Sequence, residues 1–200
     1  MYAEHLAGTL AKQLSINTLF PASIQAAKRF GGGHISIQGE FPFASSAEIH
    51  IETLKQKTFI IEFRVPANTS LSQVQVNGRK TRAKKNARGF YELTRTWVKG
   101  DVIAVAMDFD LKASVQLGEG NKKWVAFNYG PHALAQKITA IPREEPFSGM
   151  NENDISKMLR MLSKAPDSGI GFTVKETDIH LLPYYMACTE QSGPRTYFRL

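Results

Sequence analysis

Three aromatic residues and one histidine are the side chains most suited to binding a ligand: Trp97, Trp124, Tyr129 and His132. A flat aromatic ring suits the C–H face of a sugar, and ring contacts of this kind contribute about 0.5–1.5 kcal/mol beyond burial. His132 follows Gly-Pro at a strand junction, where it could point into a cleft. The sequence therefore predicts a carbohydrate-binding site from these four residues. The alternative is structural, since large aromatics in strands usually pack in a core and such a histidine usually bonds to a backbone carbonyl.

Neither a catalytic centre nor a metal site is predicted. Catalytic zinc takes three protein ligands and structural zinc takes four, whereas Cys188 is the only cysteine. The histidines at 34, 50 and 180 are lone histidines in strands, with no second histidine or cysteine two positions away. Glu144 and Glu145 are adjacent in a proline-flanked loop, which favours solvated charges over carboxylates spaced across a glycosidic bond.

No cofactor is predicted either. Gly31, Gly32 and Gly33 form a glycine-rich turn. A phosphate-binding loop would continue into Lys-Ser or Lys-Thr and a helix, and this sequence does not. Nucleotide binding is therefore not supported.

The net charge of +7 and a pI near 9.5 raise the question of nucleic acid. The densest basic cluster comprises Arg79, Lys80, Arg82, Lys84, Lys85 and Arg88. Such a cluster could contact phosphates, but it has no interleaved aromatics for base stacking. Solvated lysines and arginines at a hairpin tip also keep sheet edges from pairing with other chains. The second interpretation is favoured, so nucleic acid is not the expected partner.

Period-two strands must position these residues. Val74 and Val76 precede Asn77-Gly78, a pair that favours a tight hairpin turn. A second hairpin is predicted where Tyr91, Leu93 and Trp97 are followed by Lys99-Gly100-Asp101 and then by Ile103, Val105, Met107 and Phe109. Further strands are predicted around residues 16–20, 35–37, 49–51, 59–65, 113–117, 124–129, 172–174 and 179–182.

Helical spacing occurs in two places. Asn151, Glu152, Asn153 and Asp154 offer N-caps before Ile155, Met158, Leu159 and Leu162, which predicts one short helix near residues 151–164. Leu6, Leu10 and Leu14 suggest a second helix, or the remnant of one, over residues 1–14. No apolar run approaches the roughly 20 residues that span a bilayer, so no membrane is expected.

These patterns predict an all-β fold, an antiparallel, jelly-roll-like β-sandwich with one short helix. Two hundred residues with 42% hydrophobic content suffice for one domain. Within a single domain of residues 1–200, we expect an N-terminal helix at 1–14, the main sandwich at 15–141, and a loop, helix and closing strands at 142–200.

Several motifs occur in the order found in a known family. They are VNGR at Val76, the segment from Gly89-Phe90-Tyr91 to Thr96-Trp97, the Lys99-Gly100-Asp101 turn, Phe127-Asn128-Tyr129-Gly130-Pro131 before Ala133-Leu134-Ala135, SINTLFPASI from Ser15, and IHLLPYY from Ile179. Together they resemble the C-terminal β-sandwich region of bacterial β-L-arabinofuranosidase-like glycoside hydrolases, family 127. The resemblance covers nearly the whole chain.

The resemblance implies that sugar chemistry belongs to a separate catalytic (α/α)6 barrel, with a cysteine nucleophile in a zinc site, that precedes the sandwich. This chain would then be a non-catalytic accessory domain that packs on the barrel, in cis or in trans, and shapes the sugar cleft. A stand-alone carbohydrate-binding module is the alternative, with nucleic-acid binding and complete hydrolysis less favoured. Self-association of the chain stays open as well.

Localisation also stays open. Residues 1–14 lack the pattern of a secretory signal, which is consistent with the cytoplasm. An exported parent enzyme would carry its signal ahead of the barrel and would place this domain in the periplasm.

Overall fold

A computed structural model describes residues 7–10, 12–138, 145–165, 170–188 and 193–200. The chain is mostly β-strand with short helices, so the all-β prediction is confirmed. It divides into two compact units, Met1–Asp108 and Phe109–Leu200. The sequence predicts instead a single domain whose main sandwich ends at residue 141. That single domain stays a prediction. In the described part of the chain, no helix has the length and apolar character needed to cross a membrane.

Strands β1 to β11 build the first unit, except that Phe109, the last residue of β11, belongs to the second unit. In chain order they are β1 (Ala7–Leu10), β2 (Gln13–Ile16), β3 (Ala22–Ala26), β4 (Gly33–Gln38), β5 (Ser46–Leu54), β6 (Lys57–Arg64), β7 (Thr69–Val76), β8 (Arg79–Lys80), β9 (Lys84–Lys85), β10 (Phe90–Trp97) and β11 (Val102–Phe109). One sheet has the order β1-β2-β6-β10-β9 and the other the order β3-β4-β5-β11-β7-β8.

The two sheets of this unit enclose a common core because each strand buries alternate side chains. In β6, Phe59, Ile61 and Phe63 are at most 3% exposed, and in β11 the buried residues are Ile103, Val105 and Met107. Phe30, which precedes β4 of one sheet, packs against Phe59 of the other with ring centroids 5.1 Å apart. Burying each such side chain stabilises the fold by about 1.5–3 kcal/mol.

The helix predicted over residues 1–14 is wrong where the structure describes it. β1 and β2 form an antiparallel pair, and β2 runs parallel to β6 with Leu14 opposite Ile61. Leu14 and Ile16 alternate into the core, so long-range pairing overrides the leucine spacing. The strand expected at residues 16–20 accordingly lies earlier, at β2. Residues 1–6, including Leu6, lie outside the described residues.

The Asn77-Gly78 hairpin is confirmed. Asn77 and Gly78 have φ angles of 52° and 74°, as a two-residue type I′ turn requires. Val76 of β7 faces Arg79 of β8 across this turn.

The second predicted hairpin is wrong, because β10 and β11 lie in different sheets. β10 pairs with β6, whereas β11 pairs with β5. Their connection is therefore a crossover from one sheet to the other. The carboxylate of Asp101, which is 3% exposed, fixes this corner by accepting hydrogen bonds from the Val98 backbone N–H at 3.0 Å and from Asn77 Nδ2 at 2.7 Å.

The second unit contains strands β12 to β19 and two short helices. They are β12 (Leu111–Leu117), β13 (Lys123–Tyr129), β14 (His132–Ile138), α1 (Ile155–Met161), β15 (Leu162–Lys164), β16 (Phe172–Val174), β17 (His180–Pro183), α2 (Tyr184–Ala187), β18 (Gly193–Arg195) and β19 (Phe198–Arg199). The sheet order is β12-β13-β14-β17-β16-β15, with β18 on β14 and β19 on β13.

Helix α1 confirms the helix expected near residues 151–164, although it ends earlier. A 3-10 turn at Glu152–Asp154 precedes it and carries a capping box. The Asn151 side chain accepts from the Asn153 backbone N–H, and the Asp154 side chain accepts from the Asn151 backbone N–H, both at 2.9 Å. The apolar face of α1 packs on a separate hydrophobic core formed by residues including Phe127, Phe147 and Phe198. Residues 162–164 are strand because β15 pairs with β16.

Candidate functional site

The four predicted binding residues are divided between the two units. Trp97 lies in β10 of the first unit and is completely buried, and its indole N–H donates to the Phe59 carbonyl oxygen at 3.1 Å. It offers no face to a sugar within that unit. Trp124, Tyr129 and His132 all lie in the second unit.

Tyr129 and His132 belong to an aromatic cluster on either side of the β13–β14 turn. Tyr129 makes edge contacts with Phe109 and Phe172, at ring centroid distances of 5.6 and 5.1 Å. His132, which is 5% exposed, lies beside Phe109 and Tyr185. These contacts favour the structural interpretation of both residues, and a sugar-binding role for them stays a prediction.

Gly130 fixes the turn of this cluster, and Tyr185 adds a phenol to it. Gly130 has a φ of 53°, and a Cβ there would lie 2.5 Å from Phe109 Cγ, so the turn needs glycine. Partial burial raises the pKa of the Tyr185 phenol above its ordinary value of 10.0. The phenol is therefore neutral near pH 7 and can donate a hydrogen bond.

Trp124 lies in a different place, in a cleft of about 330 Å³ lined by Gln116, Leu117, Gly118, Trp124 and Tyr197. We call this the Trp124 cleft. Three segments build it. β12 and β13 place Gln116 opposite Trp124, and β19 places Arg199 opposite Trp124 on the other side. Tyr197 comes directly before β19.

The geometry of the cleft gives the indole an open and defined position. A Cβ on Gly118 would lie 2.6 Å from Trp124 Nε1 and 2.9 Å from Cδ1, so the backbone passes directly against the indole only because residue 118 is glycine. Leu117 is 70% exposed and Tyr197 is 44% exposed. The cleft thus combines apolar surface with phenol and amide groups, a combination that suits a ligand having both C–H faces and hydroxyls.

Sequence reasoning identified Trp124 but missed Tyr197 and Gln116. Tyr197 is far from Trp124 in the chain, and only the pairing of β19 with β13 brings it near. Gln116 is one of many exposed strand residues and has no distinguishing local signal. The candidate site is therefore partly new, with one of the four predicted residues at its centre.

A polar network on the outer face of β6 was also missed. Glu62 is completely buried, and its two oxygens accept hydrogen bonds from Arg88 Nη2 at 2.6 and 2.7 Å. Asn86 Nδ2 bridges Glu62 and Glu92, at 2.9 and 2.7 Å, and the Ser15 hydroxyl also donates to Glu62. These bonds engage Glu62 on several sides, so the network is structural. It also engages Arg88 of the predicted basic cluster in an ion pair.

The remaining residues considered for catalysis or metal binding do not lie together at one site. Glu145 pairs with Arg195, and Glu144 lies outside the described residues. Cys188 is exposed at the end of α2. Across the residues that the structure describes, no group of three or more His, Cys, Asp or Glu side chains could hold a metal ion.

By fold, the chain is an all-β protein in which a two-sheet sandwich is followed by a second β-rich unit. Residues 14–109 match the family model of the beta-L-arabinofuranosidase GH127 middle domain. This confirms the predicted resemblance to the β-sandwich region of family 127 glycoside hydrolases.

Comparison with solved structures agrees with the match of the family model. A GH127 beta-L-arabinofuranosidase from Geobacillus stearothermophilus T6 superposes with a TM-score of 0.68 at 13% identity, over 98% of this chain and 35% of that one. A second GH127 beta-arabinofuranosidase gives 0.64 at 16% identity, over 98% and 36%. A glycoside hydrolase gives 0.60 at 16%, over 92% and 35%. The chain thus spans about a third of these proteins, and the comparison with curated proteins gives no significant match.

Proposed function

We propose that this chain is a non-catalytic accessory part of a family 127-type glycoside hydrolase. It packs on a catalytic (α/α)6 barrel, in cis or in trans, and shapes the sugar cleft. The observation that carries the proposal is coverage: 98% of this chain shares the fold of an arabinofuranosidase while spanning only 35% of it. The family model over residues 14–109 supports the same assignment.

The exposed residues of α2 are the surface that we assign to barrel docking. Tyr184, Tyr185 and Met186 are 43–48% exposed on consecutive positions. Large apolar side chains that cluster at a surface are typical of protein–protein contacts. The greater part of the arabinofuranosidase lies outside the portion that this chain covers, so a barrel is the occupant to which we commit.

Co-expression tests this proposal. The barrel of the parent gene, read from the DNA upstream of the Met1 codon, is produced with and without this chain. We expect a complex on gel filtration that hydrolyses an aryl β-L-arabinofuranoside, and no hydrolysis by this chain alone. An upstream frame without a helical barrel, or hydrolysis by this chain alone, would contradict the proposal.

Paired surface variants test the docking face. Tyr184→Ser with Met186→Ser should weaken the complex, whereas Phe43→Ser with Val98→Ser, which removes two exposed apolar side chains of the first unit, should not. If only the second pair weakened the complex, α2 would not be the docking surface.

The Trp124 cleft supports a second candidate function, that of a carbohydrate-binding module. The exposed Tyr197 ring and the indole of Trp124 could stack on a sugar, with Gln116 as a hydrogen-bonding partner. Calorimetry with a β-linked arabinose disaccharide tests it. Trp124→Ala and Tyr197→Ala should each weaken binding by roughly two- to tenfold, and Tyr184→Ala serves as an aromatic control outside the cleft. Absence of heat with the unmodified chain would eliminate the module.

A further inference from the structure

A second cavity, of about 790 Å³, lies in the first unit beside the three-glycine turn. Its lining consists of Lys28, Gly31, Gly32, Gly33, Thr53, Leu54, Lys55 and Lys99. We call it the lysine cavity. Its residues come from three separate stretches of chain: the turn before β4, the end of β5 with the turn after it, and the crossover between β10 and β11.

Hydrogen bonds join these stretches into one frame. The Lys55 N–H donates to the Gly31 carbonyl oxygen at 3.3 Å, and the Gly31 N–H donates to the Lys28 carbonyl oxygen at 3.0 Å. On the other side, the Gly100 N–H donates to the Ile51 carbonyl oxygen at 2.8 Å. The backbone therefore fixes where each of the three lysines leaves the main chain.

The glycines make this arrangement possible. A Cβ on Gly33, whose φ is 107°, would overlap the Thr53 carbonyl and lie 2.7 Å from its carbon atom. Gly31 has a φ of 97°, and a Cβ there would lie 2.3 Å from the Lys55 carbonyl oxygen. Only residues without a Cβ allow the turn to lie this near to the end of β5.

The charged residues that line the lysine cavity all have the same sign. Three lysines line it, and none of its lining residues is acidic. The carboxylates next to it in sequence are engaged elsewhere. Glu52 accepts hydrogen bonds from Ser36 at 2.6 Å and from Gln38 at 3.2 Å, and Asp101 accepts from Asn77 and Val98. Three lysines without a lining carboxylate give the cavity a positive potential, which favours an anion.

We propose that the lysine cavity binds a small oxyanion that carries two or more negative charges. The ligand class is a polyphosphate or polycarboxylate, including a sugar that bears such groups. A neutral sugar lacks the charge that the three lysines select. This site is separate from the Trp124 cleft and is independent of the glycoside hydrolase assignment.

Titration of the full chain with pyrophosphate and with citrate, followed by amide NMR shifts, tests the proposal. Both anions should shift Gly31, Gly32 and Gly33, and the preferred anion identifies the source of the charge. Maltotriose, which is neutral, should not shift these amides. Replacing Lys28, Lys55 and Lys99 with Gln should weaken binding roughly fivefold per lysine, or on the order of a hundredfold together.

A charge-matched variant distinguishes binding at a defined site from non-specific electrostatic attraction by the net charge. Lys80, Lys84 and Lys85 of the first unit are exposed and do not line the cavity, so replacing them with Gln lowers the net charge equally. We expect this variant to retain binding within about twofold, since exposed charges that do not contact the ligand are screened by salt. Equal losses in both triple variants, or no amide shifts at the three glycines, would overturn the proposal.

Discussion

Glu62 illustrates how much a single buried carboxylate can depend on its partners. It lies on the outer face of β6 and is nevertheless completely buried, because Asn86 and Arg88 fold over it. A carboxylate in such a place is tolerated only while its hydrogen bonds are made. Arg88 supplies the cation and is itself 44% exposed.

Arg88→Met should therefore destabilise the first unit. The variant leaves Glu62 buried without its cation, and we expect a loss of about 1–3 kcal/mol, reduced from the value for a fully buried pair because Arg88 reaches solvent. Urea unfolding measures the loss. Arg82→Met, at an exposed residue between β8 and β9, is the control. Adding Glu62→Gln to Arg88→Met should recover part of the stability, and equal midpoints for the two single variants would contradict this account.

Gly33 and Gly89 form a second matched pair. Both have positive φ, but a Cβ on Gly33 meets the Thr53 backbone, whereas one on Gly89 has open space. Gly89→Ala should cost about 1 kcal/mol from backbone strain alone, and Gly33→Ala should cost several times more because β5 must move. Thermal unfolding compares them. Similar melting temperatures for the two variants would show that the β5 backbone can shift at little cost in free energy.

Among the elements, the β10–β11 crossover shows where a sequence pattern stops being informative. Alternating apolar residues predicted both strands, and both are confirmed. The predicted face of β11 is buried at Ile103, Val105 and Met107, whereas in β10 Leu93 and Trp97 are buried but Tyr91 is only half-buried. Alternation does not specify a partner, because a strand in a hairpin and a strand that changes sheet bury the same residues. At the crossover, Asp101 accepts a hydrogen bond from Asn77, a residue distant in sequence that the alternation does not point to.

Asp101→Ala should destabilise this corner. It removes the acceptor from the Val98 N–H and from Asn77 Nδ2, and unpaired polar groups at a part-buried site cost about 1–3 kcal/mol. Differential scanning calorimetry gives the change in stability. Asp108→Ala, at an exposed position of β11, should remain within about 0.5 kcal/mol of the unmodified chain. A melting temperature unchanged by Asp101→Ala would indicate that the core alone holds the crossover.

The candidate site was predictable only in part, for the same reason. Trp124 could be recognised from its residue type, whereas the Trp124 cleft needs the pairing of β19 with β13. Trp97 looked equivalent in sequence but occupies the core. Residue type therefore identified the aromatics as candidates, and only long-range pairing distinguished half-buried Trp124 in its cleft from fully buried Trp97.

At the scale of the whole molecule, the chain divides into two compact units after Asp108, and the single domain with its boundary at residue 141 stays a prediction. The first has its own two-sheet core, and the second has a core around Phe127. The match of the family model to residues 14–109 ends at nearly the same boundary. The motifs predicted the family but not this division, because strand periodicity continues through both units.

Residues 1–109 should consequently fold when expressed alone. The fragment keeps all of β11 and its core partners, so we expect cooperative unfolding and dispersed amide NMR signals. Circular dichroism with urea provides the measurement, with residues 1–90, which lack most of β10 and all of β11, as the control. An unfolded 1–109 fragment would favour the single-domain prediction instead.

The parallel pairing of β2 with β6 bears on how the polypeptide is made. β2 leaves the ribosome well before β6, and Leu14 finds Ile61 only after the intervening strands have been synthesised. Parallel pairs between distant segments form slowly, because loop closure must come before any gain from contacts. During translation, the apolar side chains of β2 therefore stay uncovered until β6 has been synthesised. Chaperones can bind them in that interval.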